Sequence, residues 1–227
     1  DPRWRGYDVP QTGNANYAWI LNIVSKLSDN GVAGFILANG ALSGGSEEYK
    51  IRKKLIENGL IEAIIILPNK MFYTTDISVT LWIINNNKKE RIVKLNNIEK
   101  NYRDRKDEVL FMDLREKGVP FEKKYIQFTS EVTDEIAETY HKWQQNDKGY
   151  EDIPEYCYSA TFEDIKSKDY ALAASKYIEF INRDENINFD EKMSDLKTEF
   201  SELLKEEEKS KKDLLNVFKE IGYEIEL

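Results

Sequence analysis

The chain has 227 residues, 41% of them hydrophobic and 33% charged, which allows one sizeable core, a second small unit and at least one strongly solvated helix. A formal net charge of −9 excludes a generic nucleic-acid binder, whose surface would be basic, although lysine and arginine are dense over residues 50–124 and the acidic excess falls after residue 130. One cysteine and one histidine exclude a disulfide framework and argue against an all-protein zinc site. No run reaches transmembrane length and no charged-then-apolar leader opens the chain, so a cytoplasmic protein with no membrane partner is expected. The sequence opens on Asp1, without a methionine and inside a loop pattern, so it is expected to be a fragment.

Residues 1–13 carry prolines, glycines and aromatics without a period, which reads as loop. Asn14 then stands as N-cap to a helix whose apolar positions Tyr17, Ile20, Leu21, Val24 and Leu27 recur at three and four, with Gly31 as its C′ residue. The run VAGFILA (32–38) reads as a buried strand, and NGALSGGS (39–46) as a glycine-rich turn at its carboxyl end, where open α/β sheets hold ligands. A short amphipathic helix over 47–58 uses Ile51 and Leu55, and Gly59 closes it.

The run IEAIIIL that starts at Ile61 is too short and too β-branched for a helix, and Pro68 and Asn69 stop it. A loop follows that carries Phe72 and Tyr73 between polar neighbours, and residues 78–84 form a second apolar strand. Two strands buried on both faces, joined by a loop with an aromatic at its tip, point to an α/β sheet whose edge loop meets a ligand.

Residues 88–108 are charged and aperiodic and read as a surface excursion, before a further strand at 109–113. Helical patterns recur at 130–145, with Val132, Ile136, Tyr140 and Trp143 on one face, and at 161–167. Residues 169–180 fit either turn or helix. The longest helical pattern spans 190–221: Met193, Leu196, Phe200 and Leu203 form a heptad seam that Leu214, Val217 and Ile221 resume, with polar Glu207 and Ser210 between. No internal repeat is present.

Three stretches carry a resemblance: DPRWRGYDVPQTGNANYAWI, then GVAGFILANGALSGGSEEYKIRKKLIENGLIEAIIILPNKMFYTTDISVTLWIINNNK, then EVLFMDLRE. In that order and spacing they resemble the methylation subunit of type I restriction-modification systems, an adenine-N6 DNA methyltransferase family. GNANYAW and LPNKMFYTTDISVTLWI are the specific signals; YHKW and residues 150–178 match more loosely. The family's glycine-rich cofactor turn and its catalytic Asn-Pro-Pro-Phe/Tyr tetrapeptide do not occur in this sequence.

The resemblance implies the carboxyl half of a doubly wound class I methyltransferase sheet over residues 1–120, a mixed connecting region over 121–188 and a long carboxyl-terminal helix for subunit docking over 189–227. It implies S-adenosylmethionine as the cofactor of the intact enzyme, with neither cofactor-binding nor catalytic residues in this chain and no metal. It also implies a DNA-specificity subunit, a restriction subunit in the full complex, and DNA as partners. The chemistry would be methyl transfer to the adenine amine, a poor nucleophile until the tetrapeptide's carbonyl oxygens accept its N–H bonds. This chain alone is expected to be inactive.

An enzyme that modifies a base within duplex DNA must extrude it, and aromatic faces then hold it by stacking. Phe72 matches the place of that aromatic in the family, with Tyr73 as its substitute; the plain alternative makes Phe72 a plug for the sheet edge. Asn14, Asn16 and Tyr17, and with them Asn39 and Gly40, are candidates to support the site, against plain roles as cap, core contact and turn. Lys50, Arg52, Lys53 and Lys54 would meet phosphates or form the wet face of a helix. His141 and Trp143 are expected to pack, and Cys157 receives no role. A second reading makes the chain a non-catalytic interaction module that docks to a DNA-specificity subunit.

Overall fold

The computed structural model describes residues 1–95, 98–145, 149–181 and 188–223. The last positions of the expected carboxyl-terminal region, 224–227, and residues 146–148 and 182–187 of the connecting region lie outside the described residues.

Asn14 is not the N-cap of helix α1 (Asn16–Val24). Ala15 holds that position without a side-chain bond, and Asn14 Oδ1 accepts the Asn16 N–H at 3.0 Å from one residue earlier. The helix buries Tyr17, Ile20 and Leu21. The helix stops before Leu27, and Gly31 is not its C′ residue. Gly31 sits in the turn ahead of the first strand, where an added Cβ would lie 2.9 Å from the Ser28 nitrogen.

Strand β1 (Val32–Ala38) has the expected bounds but not the expected burial. Ala33, Phe35 and Leu37 are half-buried on one face, while Val32 is 54% and Ile36 46% exposed on the other. A strand covered on one face alternates, and this one does. Helix α2 (Ser46–Glu57) buries Ile51, Leu55 and Ile56. Strand β2 (Ile61–Ile66) is buried at all six positions, and β3 (Val79–Asn85) at most of its own.

Residues 88–108 are not an aperiodic excursion: β4 (Arg91–Leu95) and β5 (Ile98–Tyr102) pair antiparallel as a separate ribbon. Its strands are held by cross-strand pairing rather than by a core, so no apolar run announces them. Next come β6 (Glu108–Asp113), a small hairpin of β7 (Val119–Phe121) and β8 (Tyr125–Gln127), and α3 (Ser130–Gln144), capped by the Thr129 hydroxyl. Strand β9 (Cys157–Thr161) leads into α4 (Phe162–Ser167), where Thr161 and Asp164 form a capping box. Within 169–180 the undecided pattern resolves as turns with one 3-10 segment, Ala174–Lys176. Helix α5 (Phe189–Glu220) runs for 32 residues, matching the heptad pattern.

The main sheet has five strands in the order β1-β3-β2-β6-β9. Only β2 and β6 run parallel; the other neighbours are antiparallel. Strand β2 sends Ile64 and Ile66 into one apolar layer with Tyr17, Ile20, Ile51, Leu55 and Trp82, and Ala63 and Ile65 into another with Leu110, Met112 and Trp143. Helices α1 and α2 therefore cover one face and α3 the other. The result is a mixed α/β sheet.

One position of β2 breaks the apolar rule. Register slips between Ile61 and Ala63, so Glu62 sits at a bulge, fully buried. Its Oε1 accepts from Arg105 at 3.2 Å and from Gln144 Nε2 at 2.9 Å. Nearby, buried Lys88 donates to the carbonyls of Ile61 and Glu108 at 2.6 and 2.7 Å. The chain divides into two units, Asp1–Phe180 and Ile181–Leu227. No helix among the described residues is long and apolar enough to cross a membrane.

Candidate functional site

Strands β1 and β2 both run antiparallel to β3, and β6 runs parallel to β2, so the carboxyl ends of β1, β2 and β6 open at one end of the sheet. The connection from β2 to β3, residues 67–78, is rooted there. Leu67 N–H donates to the Val79 carbonyl at 2.9 Å and Ser78 Oγ to the Leu67 carbonyl at 2.7 Å, which closes its neck. Farther out, Lys70 N–H reaches the Asp76 carbonyl at 3.3 Å, and Thr75 N–H reaches the Phe72 carbonyl at 3.2 Å in a tight turn.

The turn sends its two aromatics different ways. Phe72 is half-buried and packs with Met71 against the apolar layer of Leu110 and Met112. Tyr73 is 70% exposed and makes an edge-to-face pair with Tyr125, ring centroids 4.7 Å apart at 77°. The two neighbours thus differ in exposure: Phe72 is half-buried and Tyr73 is open.

Asn39 lies at the same end, just past β1, and its Oδ1 accepts from Thr80 Oγ1 at 2.5 Å. Tyr17 is buried, donates to the Ala41 carbonyl at 2.7 Å and stands edge-on to Trp82 at 6.4 Å. Burial pushes its hydroxyl pKa up to about 12, so it stays a neutral donor at ordinary pH. That bond ties α1, with half-buried Asn14 and Asn16, to the Asn39–Leu42 turn. Gly40 is exposed and an added Cβ there would meet nothing within 4 Å, so no close approach demands glycine.

Sequence reasoning missed the charged pair at the end of β6. Asp113 is buried and takes a forked set of bonds from Arg115, 2.9 Å from Nε and 2.6 Å from the terminal nitrogen. The Asp113 carboxylate raises the Arg115 pKa above its usual value, so the guanidinium stays charged. The available signal was an aspartate at the carboxyl end of an apolar strand.

Other expectations are corrected. Arg52 neither faces solvent nor waits for phosphate: it is buried and donates to the carbonyls of Tyr170 and Gly44 at 2.8 and 2.7 Å. Trp143 packs, fully buried, with its N–H on Ser159 Oγ at 2.7 Å, but His141 is exposed on the opposite side of α3. In the glycine-rich turn after β1 the space beside Gly44 is already occupied. A Cβ on Gly44 would fall 1.8 Å from Glu48 Oε2, so the chain's own buried carboxylate takes the space that this glycine leaves. Among the described residues no three His, Cys, Asp or Glu side chains gather as metal ligands.

Comparison with known proteins fits this arrangement to a family. The family model for N-6 DNA methylases matches residues 1–186. The chain is 37% identical to the type I restriction enzyme HindI methylase subunit of Haemophilus influenzae, over 99% of this chain and 47% of that protein. It is 31% identical to the MjaIX methylase subunit of Methanocaldococcus jannaschii, over 98% of this chain and 38% of that protein. The chain therefore spans about half, or less, of the curated relatives it matches. The crystal structure of a type I methyltransferase subunit from Streptococcus thermophilus superposes with a TM-score of 0.65 at 28% identity, covering 80% of this chain and 34% of that one. On the match over residues 1–186, the chain belongs to the N-6 DNA methylase family.

Proposed function

We propose that this chain is the carboxyl half of a type I methylation subunit that transfers a methyl group from S-adenosylmethionine to adenine N6 in DNA, and that it supplies the wall against which the extruded adenine rests. The loop over 67–78 carries the reading: it opens at the carboxyl end of the sheet and presents Tyr73 beside Phe72. Phe72 and Tyr73 act by stacking. Asn14, Asn16, Tyr17, Asn39 and Gly40 support them from the neighbouring corner, through the bonds of Tyr17 to Ala41 and of Thr80 to Asn39. In the intact enzyme, Phe72→Ala is expected to lower methylation roughly 5- to 150-fold, the equivalent of one lost base stack of about 1–3 kcal/mol. Wild-type methylation by both Phe72→Ala and Tyr73→Ala would sink the reading. Alone, the chain is expected to bind no S-adenosylmethionine, because the family's glycine-rich cofactor turn and catalytic tetrapeptide do not occur in its sequence; stoichiometric micromolar binding in a calorimeter would contradict this.

The doubly wound continuation of the sheet belongs to the same proposal. Among the described residues β1 pairs on one side only, and its seven residues include neither charge nor proline. An unguarded apolar edge of that length invites another strand. The remainder of the catalytic sheet is proposed to pair there.

The second reading, docking, rests on α5. Met193, Leu196, Phe200 and Leu203 form its seam, and none of the helix's residues is buried. We assign this seam to a helix of the DNA-specificity subunit, within a complex that also holds the restriction subunit. The two readings describe separate regions and are compatible.

A further inference from the structure

We propose that the β7–β8 hairpin is a positioning element for the base-facing loop, with Tyr125 as the residue that sets Tyr73; this rests on the stacking role proposed for that loop. The hairpin touches the loop at its start, its tip and its end. At the start, Lys70 holds φ at 54°, a left-handed backbone that a lysine adopts at a cost. Its carbonyl accepts the Ile126 N–H at 3.0 Å, shorter than the 3.3 and 3.2 Å bonds that the loop makes within itself beyond its neck. At the tip, Tyr125 is the ring that meets Tyr73. At the end, Lys124 Nζ stands 3.8 Å from Asp76.

The hairpin is itself seated on the loop's root. A Cβ on Gly118 would lie 2.1 Å from Ile126 Cγ2 and 3.3 Å from Pro68 Cγ, so only glycine lets the hairpin fold this close to both. Its register pairs Phe121 with Tyr125 and Pro120 with Ile126. Just before it, Leu114 N–H donates to the Ile66 carbonyl at 2.9 Å, which ties the same segment to the end of β2. Beyond its neck the loop has only the 3.3 and 3.2 Å bonds of its own, and such a segment would sample many shapes if nothing else held it. Held from outside at three points, it keeps the Tyr73 ring in one place while 70% of that residue stays open to a planar partner. The contact is between the two rings, so the Tyr125 hydroxyl is dispensable.

The test uses the complete methylation subunit assembled with its specificity subunit, and unmethylated genomic DNA from a host that lacks the system. Tyr125→Ala is expected to speed hydrogen exchange at the Lys70 and Thr75 amides and to lower methylation kcat/KM, each by about 2- to 12-fold, the range of one aromatic pair. Tyr125→Phe should restore both. Unchanged exchange in Tyr125→Ala overturns the bracing. Faster exchange with wild-type methylation, while Tyr73→Ala is impaired, overturns the positioning role alone. If Phe72→Ala and Tyr73→Ala also methylate normally, the stacking reading has failed and the hairpin's part in the reaction falls with it.

Discussion

Strand β2 and helix α5 carry comparable apolar patterns and meet opposite ends. Every residue of β2 is buried, whereas α5 buries none of its 32. The strand's neighbours β3 and β6 come from within the chain and its faces are covered by α1, α2 and α3, so its isoleucines leave water as the unit Asp1–Phe180 forms. The helix has a seam of the same chemistry, yet Leu196 remains 46% and Leu203 55% exposed. Periodicity specifies an apolar face; whether anything covers the face depends on what else is present. A core can be argued from the chain alone, while a docking surface is a core with its other half elsewhere.

The largest way to sharpen this contrast is to remove the helix. Deleting residues 190–227 is expected to abolish co-purification with the specificity subunit, because about 25 cal/mol per Å2 of seam would no longer be buried there. The unit Asp1–Phe180 should still melt cooperatively. Full-strength capture by the truncated protein would show that the seam serves another purpose.

The next test attacks the buried side at its weakest point. Glu62 and Arg105 are both fully buried, and Glu62 Oε2 and Arg105 Nε find no hydrogen-bond partner among the described residues. Removing one member leaves the other charge stranded, so Arg105→Ala is expected to destabilise by about 3–5 kcal/mol in urea unfolding. Combining Glu62→Gln with Arg105→Met should recover most of that loss, since the pair's desolvation rivals its attraction. A double variant as unstable as the single would mean that the pair itself, not relief of a stranded charge, holds this region.

Lys88 gives a pH test of the same burial. Burial pushes its amine from 10.5 down to about 8, against the opposing pull of Glu62. Between those values the unfolded chain still binds the proton and the folded chain has released it, so stability rises with pH across the window. The penalty is fully in force below about 8 and relieved above about 10.5. The change amounts to about 3 kcal/mol, at 1.36 kcal/mol per pKa unit. Lys88→Met should lose this slope relative to wild type in unfolding measured from pH 7 to 11; an unaltered slope would assign it to other groups.

These buried charges mark where the sequence ran out. Strands β2, β3 and β6 were legible because apolar runs need no partner information, and α5 was legible because a heptad repeats often enough to be counted. Glu62 reads as a break in a strand, and only the bulge and Arg105, 43 residues away, explain it. The three-residue strands β7 and β8 are too short to display a period, so Tyr125 carried no signal. Phe72 and Tyr73 were legible as a pair in a loop. Which of them faces out was not, because loops lack the alternation that assigns a face. Asn39 could be found as the end of a strand, but its bond to Thr80 required β3 to lie beside β1.

The smallest expected effect is the most exacting for the contrast between strand and helix. Leu203→Ser removes a large apolar side chain, and in β2 or its neighbours such a change would cost several kcal/mol: Leu110→Ala, at a fully buried position, is expected to lose about 2–5 kcal/mol. On α5 the side chain is already more exposed than buried, so there is little transfer energy to lose and no cavity to leave. Only helix propensity remains, a few tenths of a kcal/mol between leucine and serine. Leu203→Ser is therefore expected to shift unfolding of the isolated chain by less than about 0.5 kcal/mol, within the range of surface substitutions, while weakening capture of the specificity subunit. A loss above about 1 kcal/mol would mean that the seam is already covered without that subunit. Repeating the measurement at several protein concentrations then identifies the cover, because a second copy of the chain makes the loss concentration-dependent and an intramolecular contact does not.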